Sequence, residues 1–334
     1  MKKSLLVVLA ATAAFAAEGF HVLNTVKIGG GGGWDYLTMD SAAHRLYVSH
    51  GTAVEVIDVD AGKVVGQVAD TRGVHGIAIA PKLNKGFTSN GGSNNVTVFD
   101  LKTLQKTGEV ATGTNPDAIC YDSKTQRVFT FNGRSNDSTA IDAKTNTVVG
   151  TFPVGQKPEF CAADGNGKMY ANIENTSEIV EIDAAKPEVT RRASLAPCEE
   201  PSGLAIDTKG KKLFAVCRNK MMAVVDAKDL KVIATPAIGA GPDAATFDPG
   251  LGLAFSSNGQ DGTITVVKEV NGKYDAVDTI TTERTARTMA LDEKTHRIYM
   301  SAAEFGPAPE PKEGQKKGRG AVVPDSFHIV VVGK

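Results

Sequence analysis

The sequence repeats itself every 42 residues, and that period limits what the chain can fold into. The segment "GTNPDAICYDSKTQRVFTFNGRSNDSTAIDAKTNTVVGTFPV" (113–154) aligns without a gap on "GQKPEFCAADGNGKMYANIENTSEIVEIDAAKPEVTRRASLA" (155–196). Units of the same plan begin at 71, 197 and 239; one period outward in each direction reaches Gly29 and 281. Inside a unit, short apolar runs are broken by Gly, Asn, Asp and Lys, and none follows the 3.6-residue period of a helix. A repeat of about 40–45 residues holding four short strands is the length of one propeller blade. Units starting near 29, 71, 113, 155, 197, 239 and 281 therefore predict an all-β, seven-bladed β-propeller over residues 17–334.

The strand order within a unit can also be read. Strand a (118–121, 204–207) is built of small and branched residues, since large side chains are expected to clash where blades converge. Strand c ends on an aspartate: Asp58, Asp100, Asp142, Asp183 and Asp226, at spacings of 42, 42, 41 and 43. An aspartate there can accept backbone N–H bonds from the residues just ahead and close the c–d hairpin as an Asx turn. The last unit (281–334) supplies strands a to c only, ending at 327–332, while residues 22–28 read as a stray outer strand. Pairing the two would close the ring and remove an exposed sheet edge.

Residues 1–16 follow different rules. Lys2 and Lys3 precede an apolar run (4–13) and the small-x-small triplet Ala14, Phe15, Ala16, the pattern of a secretory signal peptide. The run is shorter than the ~20 residues that span a bilayer. No other stretch is long enough, so the expectation is a periplasmic or secreted monomer with no membrane span. A net charge of -1 and a pI near 6.6 argue against nucleic acid as a partner, the only basic cluster lying at 312–319.

The strand b motifs "YVS" (47–49), "FTSN" (87–90), "FTFN" (129–132), "YAN" (170–172) and "FSSN" (255–258), together with the strand c aspartates, make the chain resemble the YVTN-type, YncE-like seven-bladed propellers of exported bacterial proteins. The resemblance spans essentially the whole mature chain and implies the fold. For function it implies several classes: binding platforms, surface-layer pieces, lyases or lactonases, and DNA- or peptidoglycan-related partners.

The stretch "GGGGGWDY" (29–36) is the first copy of the d–a loop, equivalent to "GTNPD", "GQKPE" and "GAGPD". Its Trp-Asp pair begins strand a rather than ending strand c, so it is not the WD signature. No helix follows to present its N-terminus to a phosphate. The units place one residue per blade at the start of strand a: Asp35, His75, Asp117, Glu159, Ser202, Asp243 and Arg287. The b–c loops add His50, Asn90, Asn132, Glu174, Arg218, Asn258 and Glu304 as a second ring at the same channel mouth. One reading has these groups bond the loop backbone and channel water. The other has Asp35, His50 and His75, with Asp117 or Glu159 nearby, hold a divalent cation: histidine with carboxylate suits Zn²⁺ or Mn²⁺, an all-oxygen subset Ca²⁺ or Mg²⁺. His75 beside Asp117, or His50 beside Asp35, is a candidate general base with an orienting carboxylate.

Cys198 and Cys217 are expected to share the mouth face and to form a disulfide, whereas Cys120 and Cys161, at opposite parity on inner strands, are expected to be buried thiols. His44 and His296 fall in far-face turns, and 304–325 forms a solvated loop on the ligand face. The functional expectation is an exported binding platform for a polar small molecule, peptide or protein partner at the channel mouth. The alternatives are a metal-assisted lyase or lactone hydrolase using the His/carboxylate ring, and a DNA-binding YncE-like protein.

Overall fold

The computed structural model describes residues 19–308 and 320–334; the leader at 1–16 and the middle of the loop at 304–325 lie outside the described residues. Seven antiparallel sheets of four strands each surround a central channel. Their inner strands are Leu37–Asp40 (blade 1), Val74–Ala80 (blade 2), Pro116–Asp122 (blade 3), Pro158–Ala163 (blade 4), Pro201–Asp207 (blade 5), Pro242–Asp248 (blade 6) and Thr288–Asp292 (blade 7). Each inner strand touches the next, and that of blade 7 returns to that of blade 1.

Blades stack face to face, so strands b and c are covered on both sides. In blade 3, Val128, Phe129, Phe131, Ala140 and Ile141 are all fully buried. Side chains of neighbours interleave between sheets, as where Phe129 of blade 3 joins Met169 and Ile182 of blade 4. Each such side chain stabilises the fold by about 1.5–3 kcal/mol. Only the outer strands face water, leaving Val148 and Val149 exposed.

The ring closes as the sequence implies. His21–Lys27 pairs antiparallel with His328–Gly333, Val26 opposite Ile329, and forms the outer strand of blade 7. The bounds differ from 22–28 and 327–332 by one residue, because Ile28 and Gly29 have already turned to donate their N–H groups to the Phe327 carbonyl. The glycine run then lies along blade 7: Gly30 donates to the Asp325 carboxylate at 2.9 Å, and Asp325 donates back to the Gly30 carbonyl at 3.0 Å. Gly30 sits at φ +77°, and a Cβ there would come within 3.1 Å of the His50 ring. The Trp34 indole wedges beside Phe305 and Phe327, with ring centroids 5.7 and 5.2 Å away.

The strand c aspartates act as read. Asp58, Asp100, Asp142 and Asp183 each accept the N–H groups of residues i+2 and i+3, and Asp226 that of i+2. A second set, not singled out from the sequence, closes the a–b turns: Asp40, Asp207 and Asp248 accept the same pair of bonds. His296, one of the far-face histidines, bonds Asp248 at 2.7 Å, while His44 pairs with Asp60 at 2.8 Å.

The reading of Cys120 and Cys161 as buried thiols is corrected: they form a disulfide, with Cα atoms 6.2 Å apart. Opposite parity, taken as keeping them apart, is what joins them. Stacked sheets meet through opposite faces, so an upward side chain of blade 3 meets a downward one of blade 4. Cys198 and Cys217 form the second disulfide, within blade 5, with Cα atoms 5.6 Å apart.

Deleting residues 1–28 exposes the edge of His328–Gly333 and removes the covering strand. The truncated protein is expected to self-associate and to unfold about 10 °C or more below the full chain. Light scattering and differential scanning calorimetry check both, and a monomer of unchanged melting temperature contradicts the closure.

Candidate site at the channel mouth

A bulge aims the ring residues. In blades 2 to 6 the register between strands a and b slips just after the first residue: between Val74 and Ile77, Pro116 and Ile119, Pro158 and Cys161, Pro201 and Leu204, and Pro242 and Ala245. The residue following each of Val74, Pro116, Pro158, Pro201 and Pro242 falls in the bulge, which frees it from the ladder and redirects its side chain. Those residues are His75, Asp117, Glu159, Ser202 and Asp243. Small neighbours make room for them: a Cβ on Gly203 would lie 2.6 Å from the Ala244 backbone, and one on Gly91 would lie 2.7 Å from His75 Nε2.

Serines at the end of strand b hook blade to blade, a role the sequence reading missed. Ser89 Oγ accepts from Gly76 N–H and donates to the Asp117 carbonyl of the next blade. Ser257 does the same between Ala244 N–H and the Arg287 carbonyl. At the closing seam, Thr288 Oγ1 donates to the Asp35 carbonyl at 2.6 Å.

The ring side chains form an arc of alternating charge across five blades. Asp243 bonds Arg287 Nη1 at 2.5 Å; Arg287 Nη2 donates to the Trp34 carbonyl at 2.8 Å and stands 3.6 Å from Asp35. Asp35 Oδ2 takes a 2.7 Å bond from His75 Nδ1, which lies 3.6 Å from Asp117 Oδ1. Alternation then fails. Glu159 follows Asp117 directly, and Glu174 lies close by. The Lys157 ammonium bonds Glu174 and stays 3.9 Å from Glu159. Glu159 Oε2 is buried without a hydrogen bond.

Protonation follows from this layout. Burial, then the charges of Asp117 and Glu174, raise the Glu159 carboxyl from an ordinary 4.5 to about 9. Burial likewise lifts Asp117 from 3.8 to about 7, with His75 partly offsetting it and Asp35 and Asp243 adding to it. At His75 burial works against the proton, but the Asp35 hydrogen bond and the Asp117 charge prevail and raise its pKa. The Arg287 guanidinium keeps its charge despite burial because Asp243 and Asp35 flank it.

Tyr36 corrects the expectation that only small side chains reach the axis. It is buried, and its ring meets Phe160 at 4.5 Å although the two come from blades 1 and 4, so they meet across the channel. Burial and then Glu159, Asp35, Asp117 and Asp243 hold the phenol proton on, its pKa pushed well above 10. Above this plug, toward blades 4 to 7, a cleft of about 260 Å³ is lined by Glu159, Glu174, Glu200, Ser202, Arg218, Asp243 and Arg287, among others.

The second ring divides. Asn90, Asn132 and Asn258 do not face the mouth: each is fully buried and donates its amide N–H groups to residues of its own strand c, such as Thr97, Thr139 and Thr265. Asparagine suits that place because its amide both donates and accepts, bridging neighbouring threonines inside a covered sheet. Arg218 stays at the surface, paired with Glu200 at 2.6 Å. Glu304 is exposed beside the described part of its loop. The ligand set Asp35, His50 and His75 is also not brought together. His50 sits on the blade 7–blade 1 seam, its ring 4.6 Å from Phe327 and its Nδ1 3.4 Å from Glu55. The group whose ligand atoms do lie within 4.8 Å of one another is Asp35, His75 and Asp117. Of the two candidate base pairs, His75 with Asp117 is present, with Asp35 closer still.

No protein-family model and no curated protein matches the sequence. Among solved structures the fold is similar to a chain of Kuenenia stuttgartiensis hydrazine synthase, with 16% identity over 81% of this chain and 92% of that one and a TM-score of 0.69. It is also similar to a chain of the mitotic checkpoint complex, with 11% identity over 100% of this chain and 98% of that one and a TM-score of 0.77. At such identities the likeness concerns the propeller fold.

Glu159 and Asp117 keep protons in the folded protein at pH values where the unfolded chain has lost them, so stability falls as pH rises from about 4 toward 7 and 9. Glu159→Gln is expected to match the parent near pH 4 and to exceed it by about 1–3 kcal/mol near pH 9. Melting curves across that range check this; a pH-independent difference contradicts it.

Proposed function

We propose that the protein is an exported binding platform whose channel mouth captures a small polar ligand through a protonated amine. The observation that carries this reading is the break in charge alternation at blades 3 and 4, where the buried Glu159 Oε2 accepts no hydrogen bond, with Lys157 held 3.9 Å away, beside Asp117 and a cleft of ligand size. An ammonium there would take the place of the protons that Glu159 and Asp117 hold in the free protein, and its N–H groups would satisfy Glu159 Oε2. The cleft walls supply Ser202 and Gln260 as further polar partners. Export is supported by the leader-like residues 1–16 and by two disulfides, which persist in oxidising compartments. The strand b motifs and strand c aspartates support placing the chain with the YVTN-type, YncE-like propellers. Among the described residues, no helix is long and apolar enough to cross a membrane.

A second reading, a metal-assisted lyase or lactone hydrolase, is favoured by one observation, the approach of Asp35, His75 and Asp117 to within 4.8 Å. A divalent ion would occupy the place of the His75 proton between the two carboxylates, and those residues would hold it. Mn²⁺ retained after dialysis by the parent protein and lost in His75→Ala would favour this reading over the first.

The amine reading is tested by calorimetric titration of putrescine. Binding is expected to release protons, so the measured heat differs between Tris and phosphate, and affinity rises with pH from 6 to 9 as the two carboxyls lose their protons unaided. Glu159→Gln should weaken binding by about tenfold or more. Binding without proton release, or unchanged in that variant, would count against it.

A further inference from the structure

Below the Tyr36–Phe160 plug the channel opens again toward the far face, and the chemistry of the mouth uses none of it. This lower cavity holds about 410 Å³ and takes its wall from the inner strands of blades 1 to 6 and from Glu293, just past the inner strand of blade 7. That size falls within the range of small-molecule sites. Its lining side chains are mostly apolar, with Ile77, Ile119 and Leu204 nearly buried in the packing between blades; polar atoms supply about half of the surface left exposed, and the Cys120–Cys161 disulfide fixes the side shared by blades 3 and 4. Tyr121, Ile206 and Phe247 are left half-buried at the opening. Apolar groups in such a place gain about 25 cal/mol for each Å² that a ligand covers.

One charged side chain lines this cavity, that of Glu293 in the turn that follows the blade 7 inner strand. Its neighbours are occupied: Asp292 bonds Thr295 and the Lys294 N–H, and Asp248 bonds His296 and two turn N–H groups. Glu293 makes no hydrogen bond or ion pair among the described residues, and the charges of Asp248 and Asp292 bear on it. A shaft whose lining side chains are mostly apolar, with an unanswered carboxylate at its rim, is complementary to a molecule with a compact hydrocarbon body and a single positive head. A cavity of about 410 Å³ admits only a compact body.

We infer that the lower channel is a second binding site, for a compact hydrophobic amine whose hydrocarbon body fills the shaft and whose ammonium pairs with Glu293. This site is independent of the mouth, since Glu159 and Glu293 lie on opposite sides of the plug.

The test uses the full, disulfide-bonded protein and three probes that share one hydrocarbon cage: 1-adamantylamine, 1-adamantanol and adamantane-1-carboxylate, titrated calorimetrically at low salt. The amine is expected to bind one per chain with a negative heat-capacity change. The alcohol should bind about tenfold more weakly, and the carboxylate more weakly still. Glu293→Gln, an exposed substitution that leaves the fold alone, should bring the amine down to the affinity of the alcohol and leave the alcohol unchanged. Glu159→Gln should leave amine binding intact even where it removes putrescine binding at the mouth. The inference is overturned if the amine does not bind, if amine and carboxylate bind alike, or if the amine's advantage survives Glu293→Gln. It is also overturned if Glu159→Gln, rather than Glu293→Gln, removes amine binding.

Discussion

Closure of the ring is the constraint from which the rest of the molecule follows. Each blade can bury its two faces only if it has a neighbour on both sides, and the blade at the seam has one only because His21–Lys27 comes round to complete it. The seam is held by strand pairing, by the Gly30–Asp325 exchange, by Trp34 between Phe305 and Phe327, and by the Thr288 hydroxyl on the Asp35 carbonyl. With the circle complete, side chains as distant in sequence as Asp35 and Arg287 become neighbours on one opening. The site is a property of the circle and cannot be assigned to any one blade.

Electrostatics at that opening are governed by a simple count. Along the arc from Asp243 through Arg287, Asp35 and His75 to Asp117, each carboxylate has a cation beside it, and the pairing compensates the loss of water. Five positions suit this rule. The next, Glu159, has no cation within hydrogen-bonding distance, and protons supply the missing positive charge. The neutral Ser202 follows, bonding the Pro242 carbonyl of the adjacent blade at 3.2 Å. The mouth is thus settled on one side and unsatisfied on the other, and its cleft lies on the unsatisfied side.

Much of this is legible in the sequence because it is periodic. A 42-residue repeat fixes blade length, the strand c aspartates fix one set of turns, and a shortened last unit with a spare strand at the other end fixes closure. Aligning the units also finds the inner ring, since equivalent positions in a circular array share one radius and height. What the repeat conceals is direction. The bulge after Pro116, Pro158, Pro201 and Pro242 turns the ring residues to the axis, and the asparagines of "FTSN" and "FSSN" turn away from it into their own sheets. Departures from the repeat are hidden too. Cys161 is one residue out of step with Cys120, and only a three-dimensional view of stacked faces turns that offset into a bond. Tyr36 and Phe160, the two large residues in an alignment column that otherwise holds Gly76, Ala118, Gly203, Ala244 and Thr288, meet across the axis and divide the channel.

The outer strand of blade 7 brings both ends of the described chain to one corner, His21 lying opposite Gly333. These ends occupy the place of a c–d turn, so a tether fused at either one would leave from the outer edge of the far face. A molecule held that way turns the charged ring away from its support, so solutes reach that opening from the free side.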